Sequence, residues 1–196
     1  MHHLWLRESP MLVNEQHTID LAKEGDHDAF ARLMSTYQDR LFTSLANSIG
    51  CETEAEDVVQ ETFVNAYLKL SGFRGTSSFY TWIYRIARNV AATRQQRLKS
   101  TRSLDVALRT MGQEPVDCTP QAVNALENAE QANDLATALQ RISDDYRTVL
   151  VLREIDGFDY ATIASLLGIR VGTVRSRLHR ARLELGRAWR QLKGNE

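Results

Sequence analysis

The segment Tyr160-Ala161-Thr162-Ile163-Ala164-Ser165-Leu166-Leu167-Gly168-Ile169-Arg170-Val171-Gly172-Thr173-Val174-Arg175-Ser176-Arg177-Leu178 reads as two short helices meeting at an angle. Ala164 is small where two helices would cross closely, and Gly168 stands where the first must turn sharply. Ile163, Leu167, Ile169, Val174 and Leu178 have the spacing to pack the inside of that angle. After the turn, Thr173, Arg175, Ser176, Arg177, His179, Arg180 and Arg182 decorate the second helix. This is the pattern of a helix-turn-helix whose second helix enters a DNA major groove. Arginine forks there read guanine edges or hold phosphates. The competing reading is an ordinary helical hairpin with a basic, solvated face. The small residues at matching offsets and a nearly acid-free second helix favour DNA.

Outward from this segment, the chain alternates in charge. Residues 170–193 hold eight bases against Glu184, a net +7, and residues 67–99 hold seven bases and no acid, again +7. Residues 50–66 carry Glu52, Glu54, Glu56, Asp57 and Glu61 without a base, and residues 114–134 are likewise −5. The formal net charge of −1 over 196 residues is therefore a sum of opposed blocks, and it does not exclude a polyanion partner. Composition excludes other classes. With 43% hydrophobic residues and 3 Pro the chain is not wholly disordered, and no apolar run spans a membrane. Met1 to Pro10 lacks a basic segment followed by an apolar one, so no signal peptide is expected. Cys51 and Cys118 stand far apart in sequence and read as ordinary thiols, with a reducing compartment as the default.

The periodicity is helical throughout, and no segment alternates with a period of two. Leu21, Phe30, Leu33, Met34, Tyr37, Leu41, Phe42 and Leu45 follow helical spacing, interrupted at Gly25-Asp26 and ended by Gly50. Thr53-Glu54-Ala55-Glu56 reads as a capping box opening a helix to about Leu70. A loop over Ser71–Ser78 precedes a helix from Ser78 to about Arg97. Weak periodicity over 100–118 marks a linker, after which Thr119-Pro120 restarts a helix. The expected fold is all-α: two small helical domains joined by a linker. The divisions are an N-terminal extension over 1–17, a first domain over 18–99, a linker over 100–130 and a second domain over 131–196.

Phe73, Phe79, Tyr80, Trp82 and Tyr84 crowd into a stretch that also carries Arg74, Arg85 and Arg88. Aromatic faces beside cations suit a single-stranded nucleic acid. Helical spacing assigns Trp82 and Ile86 to the core, which leaves Phe79, Tyr80 and the loop Arg74–Ser78 as the expected base contacts. Asp144-Asp145 follows Ser143 at a helix start, where carboxylates favour the helix dipole, so this pair is not read as catalytic. No metal-ligand spacing or Ser/His/Asp set emerges.

Two motif sets then resemble a known family. Ala55-Glu56-Asp57-Val58-Val59-Gln60-Glu61-Thr62-Phe63, Phe73-Arg74-Gly75 and Thr81-Trp82-Ile83-Tyr84-Arg85-Ile86-Ala87-Arg88-Asn89 look like region 2 of the extracytoplasmic-function (ECF), sigma-E-like, RNA polymerase sigma factors. Leu150-Val151-Leu152-Arg153-Glu154, Gly157-Phe158 and Gly172 through Arg182 resemble their region 4. The resemblance implies a bacterial cytoplasmic protein that is not an enzyme, with no cofactor, metal or small-molecule substrate and no membrane insertion. It implies binding to core RNA polymerase, at the clamp of the largest subunit and the flap of the second largest, to promoter DNA and to an anti-sigma factor. Glu56, Asp57, Gln60 and Glu61 would face the polymerase clamp. Arg74, Ser77, Ser78, Phe79, Tyr80, Arg85, Arg88 and Asn89 would hold the minus-ten element. Arg153, Arg170, Thr173, Arg175, Ser176, Arg177, His179, Arg180 and Arg182 would hold the minus-thirty-five element. Ile169-Arg170 departs from the family's proline-containing turn, and His179 from its usual residue, so promoter preference stays open. A different class, the free-standing helix-turn-helix regulator that binds duplex DNA as a dimer, would explain residues 135–192 but not the acidic helix or the aromatic block.

Overall fold

The structure is a computed structural model that describes residues 10–107 and 128–194, with side chains over 15–97 and 134–194. Every regular element among the described residues is helical. The first helix, α1 (Pro10–Lys23), covers part of the stretch expected as an extension, and Ile19 and Ala22 bury its inner face. The turn at Gly25 takes φ 99, and Asp26 then caps α2 (His27–Ile49) by accepting the Ala29 N–H at 2.9 Å. Phe30, Leu33, Leu41 and Leu45 form the buried stripe of α2. Gly50, at φ 80, ends the helix in the left-handed conformation that glycine adopts without steric cost.

Helix α3 (Glu52–Lys69) begins earlier than the sequence suggests. The Ala55 N–H donates to the Cys51 carbonyl at 3.0 Å, so Cys51 occupies the cap and no side-chain cap bond forms. The capping box at Thr53 is therefore displaced by the backbone of its neighbours. Cys51 is buried and disulfide-bonded rather than a thiol. Sequence separation says nothing about distance in space, and the one other cysteine, Cys118, lies outside the described residues. After a single 3-10 turn, Leu70–Gly72, comes helix α4 (Phe79–Ala107). Ser78 caps it, accepting the Thr81 N–H at 3.1 Å. The helix runs past the expected end near Arg97; the expected restart at Thr119-Pro120 lies outside the described residues.

In the C-terminal half, α5 (Asn128–Gln140), α6 (Asp144–Glu154), α7 (Tyr160–Leu167) and α8 (Val171–Lys193) form a second bundle. Leu139, Ile142, Leu150 and Ala181 make a small core of their own there. The larger core is continuous across both halves, from Phe30, Val58 and Ile83 to Val149, Leu152, Ile163, Val174 and Leu178. The two domains are thus docked on each other.

Arg147 pins this docking. It is buried, and its guanidinium donates to the Ser48 carbonyl at 2.9 Å, the Ile49 carbonyl at 3.4 Å and the Asp144 carboxylate at 2.7 Å. The last carbonyls of α2 have no partner within their own helix, so a cation from α6 supplies one. Gln140 adds a bond to the Gly50 carbonyl at 3.3 Å.

Candidate nucleic-acid interface

The helix-turn-helix is built as its sequence implies. Asp159 caps α7 by accepting the Thr162 N–H at 2.7 Å, a bond that holds its pKa below the ordinary carboxylate value. Gly168, at φ 66, turns the chain, and its N–H and that of Ile169 both donate to the Ala164 carbonyl. Val174 and Leu178 bury the inner face of α8 against Ile163 and Leu166. Arg170, Arg175, Ser176, His179, Arg180 and Arg182 are exposed, and Thr173 and Arg177 are partly so. These side chains form two flanks. Arg177 pairs with Asp145 at 2.6 Å, and Arg180 donates to the Tyr146 hydroxyl at 3.2 Å, beside the start of α6. On the other flank Arg182 pairs with Glu154 at 2.6 Å. Among the described residues no ion pair holds Arg170 or Arg175, which stand at and just inside the α8 N-terminus. Arg153 is spent internally: it donates to the Phe158 carbonyl at 2.9 Å and lies over the Tyr160 ring.

The aromatic-basic block of α4 divides differently. Phe79 is 2% exposed and Tyr80 is 3% exposed, so neither offers its ring to a base in this arrangement. Phe79 belongs to the core of the first bundle, where Phe73, Trp82 and Tyr37 surround it at centroid distances of 5.5–5.6 Å. Burying such rings is worth more than leaving them in water, and edge contacts between them add further stability. Tyr80 faces the C-terminal half, stacked on Phe158 at 5.7 Å. Tyr84 is buried beside it, and desolvation pushes its phenol up to about 12. Ile86 is buried and Trp82 partly so, as their helical spacing implies.

What remains exposed on this side is a polar stripe. Arg74 lies on the exposed loop with Ser78, and Ser77 is partly covered. Arg85 and Asn89 follow one turn apart on α4, and Thr93 continues the same exposed face. Arg88 is partly buried and donates to the Leu167 carbonyl of the C-terminal half at 3.2 Å.

The acidic face of α3 is partly neutralised. Arg94 of α4 pairs with Asp57 and, at 3.5 Å, with Glu61. Glu56 and Gln60 stay exposed. At the same four-residue spacing the face continues into Val64, 61% exposed, and Leu68, 71% exposed. These two border a groove of about 480 Å³ lined by Phe30, Met34, Val59 and Phe63. Sequence reasoning counted the acids and passed over this apolar continuation. A period of four running from Glu56 through Gln60 to Val64 and Leu68 is the signal that would have found it.

Comparison with known proteins bears on both halves. The Sigma-70 region 2 family model matches residues 33–101, and the Sigma-70, region 4 family model matches residues 132–185. The chain is 35% identical over 181 residues to the ECF RNA polymerase sigma factor SigW of Bacillus subtilis, covering 89% of this chain and 96% of that protein. It is 35% identical over 177 residues to the ECF RNA polymerase sigma-E factor of Escherichia coli, covering 87% and 91%. Among solved structures, the sigma factor RpoE in complex with the anti-sigma factor NepR from Bartonella quintana aligns with a TM-score of 0.63 at 27% identity, over 81% of this chain and 95% of that one. CnrH in complex with the cytosolic domain of CnrY aligns with a TM-score of 0.61 at 26% identity, over 93% and 99%. With both regions present in order, and relatives matched over nearly their whole length, the chain belongs to the extracytoplasmic-function family of RNA polymerase sigma factors.

Proposed function

We propose that this chain binds core RNA polymerase and directs it to promoters, reading the minus-thirty-five element with the C-terminal half and the minus-ten element with the N-terminal half. The observation that carries this is the separation of surfaces: exposed arginines on a helix-turn-helix, a polar stripe on α4, and a mixed acidic and apolar face on α3. A free-standing DNA binder needs only the first.

In this reading Arg170, Thr173, Arg175, Ser176, Arg177, His179, Arg180 and Arg182 contact the minus-thirty-five duplex. Arg177, Arg180 and Arg182 then exchange their protein partners for phosphates, whereas Arg153 supports the loop before α7. Arg74, Ser77, Ser78, Arg85 and Asn89 contact the minus-ten strand directly. Phe79 shapes that surface from beneath, and Tyr80 and Arg88 join it only when the halves separate. Glu56, Asp57, Gln60 and Glu61, extended by Val64 and Leu68, face the polymerase clamp, because exposed apolar surface rimmed by charge suits a protein partner. The aligned sigma factor RpoE was solved with the anti-sigma factor NepR, which supports an anti-sigma partner here. The reading makes the chain a bacterial cytoplasmic regulator rather than an enzyme; among the described residues no helix is long and apolar enough to cross a membrane.

Reconstitution with core polymerase, followed by sequencing of the transcript starts, tests the proposal. Discrete starts preceded by two shared elements are expected. Tight binding of a duplex operator by the chain alone, without promoter-specific transcripts in the presence of core, would overturn it in favour of the dimeric regulator.

A further inference from the structure

Val174, Leu178 and Ala181 form the buried side of α8. Arg175 and Arg182 lie along one flank. Thr173, Arg177 and Arg180 lie along the other, where Arg177 and Arg180 meet Asp145 and Tyr146 of α6. Between the flanks, opposite the buried side, runs a ridge of Gly172, Ser176, His179 and Leu183, spaced by four, three and four residues. All four are exposed, Leu183 to 50%. Size rises along this ridge, from no side chain at Gly172 through a hydroxymethyl and an imidazole to an isobutyl group.

Gly172 has no explanation within the fold. Glycine weakens a helix relative to alanine, because it loses more backbone freedom on folding. A neighbour too close to admit a Cβ is one reason to keep it, but a Cβ at Gly172 would meet no atom of a neighbouring element within 4 Å. Its backbone is helical, so no left-handed conformation demands glycine there. The space that glycine leaves opens outward, away from the protein.

We infer that Gly172 is a positioning residue for promoter recognition: its missing side chain lets the α8 backbone lie against the floor of the minus-thirty-five major groove and brings Ser176 and Arg175 to the base edges. The inference rests on the proposed minus-thirty-five role of α8. A helix with its side chains is about 10–12 Å across, and the major groove is about 12 Å wide. The side chains on the leading ridge therefore set how deep the helix enters. The taper from Gly172 to Leu183 seats the start of α8 deepest and lifts its later turns, the tilt in which early residues of a recognition helix meet bases. Ser176 is too short to read a base from a distance, so it depends on this approach. Its hydroxyl already donates to the Thr173 carbonyl at 3.0 Å, which leaves its lone pairs to accept from an adenine or cytosine amino group.

The test compares Gly172→Ala with Gly186→Ala in the full chain. Gly186 is also exposed on α8 and also has open space around it, but it lies 14 residues further along, beyond the lifted end of the ridge. Both variants should unfold at the parent temperature or up to about 4 °C above it. Each is reconstituted with core polymerase and titrated with a promoter bearing the intact minus-thirty-five element and with one bearing a scrambled element. Gly172→Ala should bind the intact promoter about tenfold more weakly and the scrambled one as the parent does, whereas Gly186→Ala should match the parent on both. Parent-like binding of the intact promoter by Gly172→Ala overturns the inference. An equal loss on both promoters, or the same loss in Gly186→Ala, also overturns it, as does a lowered unfolding temperature in Gly172→Ala. Failure of the parent holoenzyme to distinguish the two promoters is a separate outcome, and it overturns the minus-thirty-five reading itself.

Discussion

The two basic blocks have the same net charge of +7, yet α8 and α4 use their residues in opposite ways. On α8 the arginines are outside and the aliphatic residues inside, so a helical wheel of the sequence describes the surface. On α4 the aromatic residues that suit nucleic acid, Phe79 and Tyr80, are buried. Helix α8 lies at the edge of a small bundle and has one neighbour-facing side. Helix α4 packs on α3 and, through Tyr80 and Arg88, on the other half of the molecule. A guanidinium must reach water or a counter-charge, so its place follows from its chemistry. A phenyl or phenol ring suits a core and a stacked base equally well, so its place does not.

The comparison is most exposed to substitution at Phe79. Phe79→Ala should cost about 3–5 kcal/mol of stability, because it empties a ring site in the first bundle. Urea unfolding measures this. A loss under 1 kcal/mol coupled with weakened minus-ten binding would return Phe79 to the role of base contact. At Arg175 the contrast is reversed. Arg175→Ala should weaken recognition of the minus-thirty-five element by about 1–3 kcal/mol and leave the unfolding midpoint unchanged. Promoter titration with the reconstituted holoenzyme measures it, and equal weakening on scrambled promoters would reduce Arg175 to a phosphate contact.

A smaller effect is expected where α8 meets α6. Asp145→Asn removes the exposed partner of Arg177 and should change stability by no more than about 1 kcal/mol. Promoter affinity should rise slightly, because Arg177 no longer exchanges one anion for another; a fall would show that Asp145 positions Arg177 for the groove. The smallest effect concerns pH at the domain contact. Burial raises the Asp156 pKa above its ordinary value, against the opposing pull of the Ser44 and Tyr80 hydroxyls and of Arg40. Between the ordinary value and the raised one, the docked form therefore keeps a proton that the separated form has released. Its contribution to docking is full below the ordinary carboxylate range of about 4 and is lost as pH rises through the raised value. Scattering across that range should show tighter docking on the acid side. Tyr80 and Tyr84, which face Asp156, stay neutral there because their own pKa values are raised by burial.

Several elements are legible in the sequence alone. The Gly25-Asp26 break, the Gly50 stop and the Gly168 turn are local decisions of backbone sterics and capping, and each occurs where the residues indicate. Helices α6, α7 and α8 follow their apolar periods closely. The cap of α3 was misread because Thr53 and Glu56 satisfy the capping pattern while a neighbouring carbonyl starts the helix first. The disulfide at Cys51 and the contact of Asp156 with Ser44 and Tyr80 had no local signal at all.

The sequence by itself determined an all-helical chain in two parts, with a helix-turn-helix in the second and separated blocks of charge. These follow from interactions within a few residues: hydrophobic period, caps, turns and the need of charges for water. Only the tertiary structure decided which aromatics are core, which arginines already hold a protein partner, and that the two halves are docked through a shared apolar core, the buried Arg147 and the buried carboxylate of Asp156. The contacts of Asp156 join residues that are 76 to 116 apart in the chain. No local pattern encodes such pairings, because they depend on which surfaces remain after each half has buried its own apolar face.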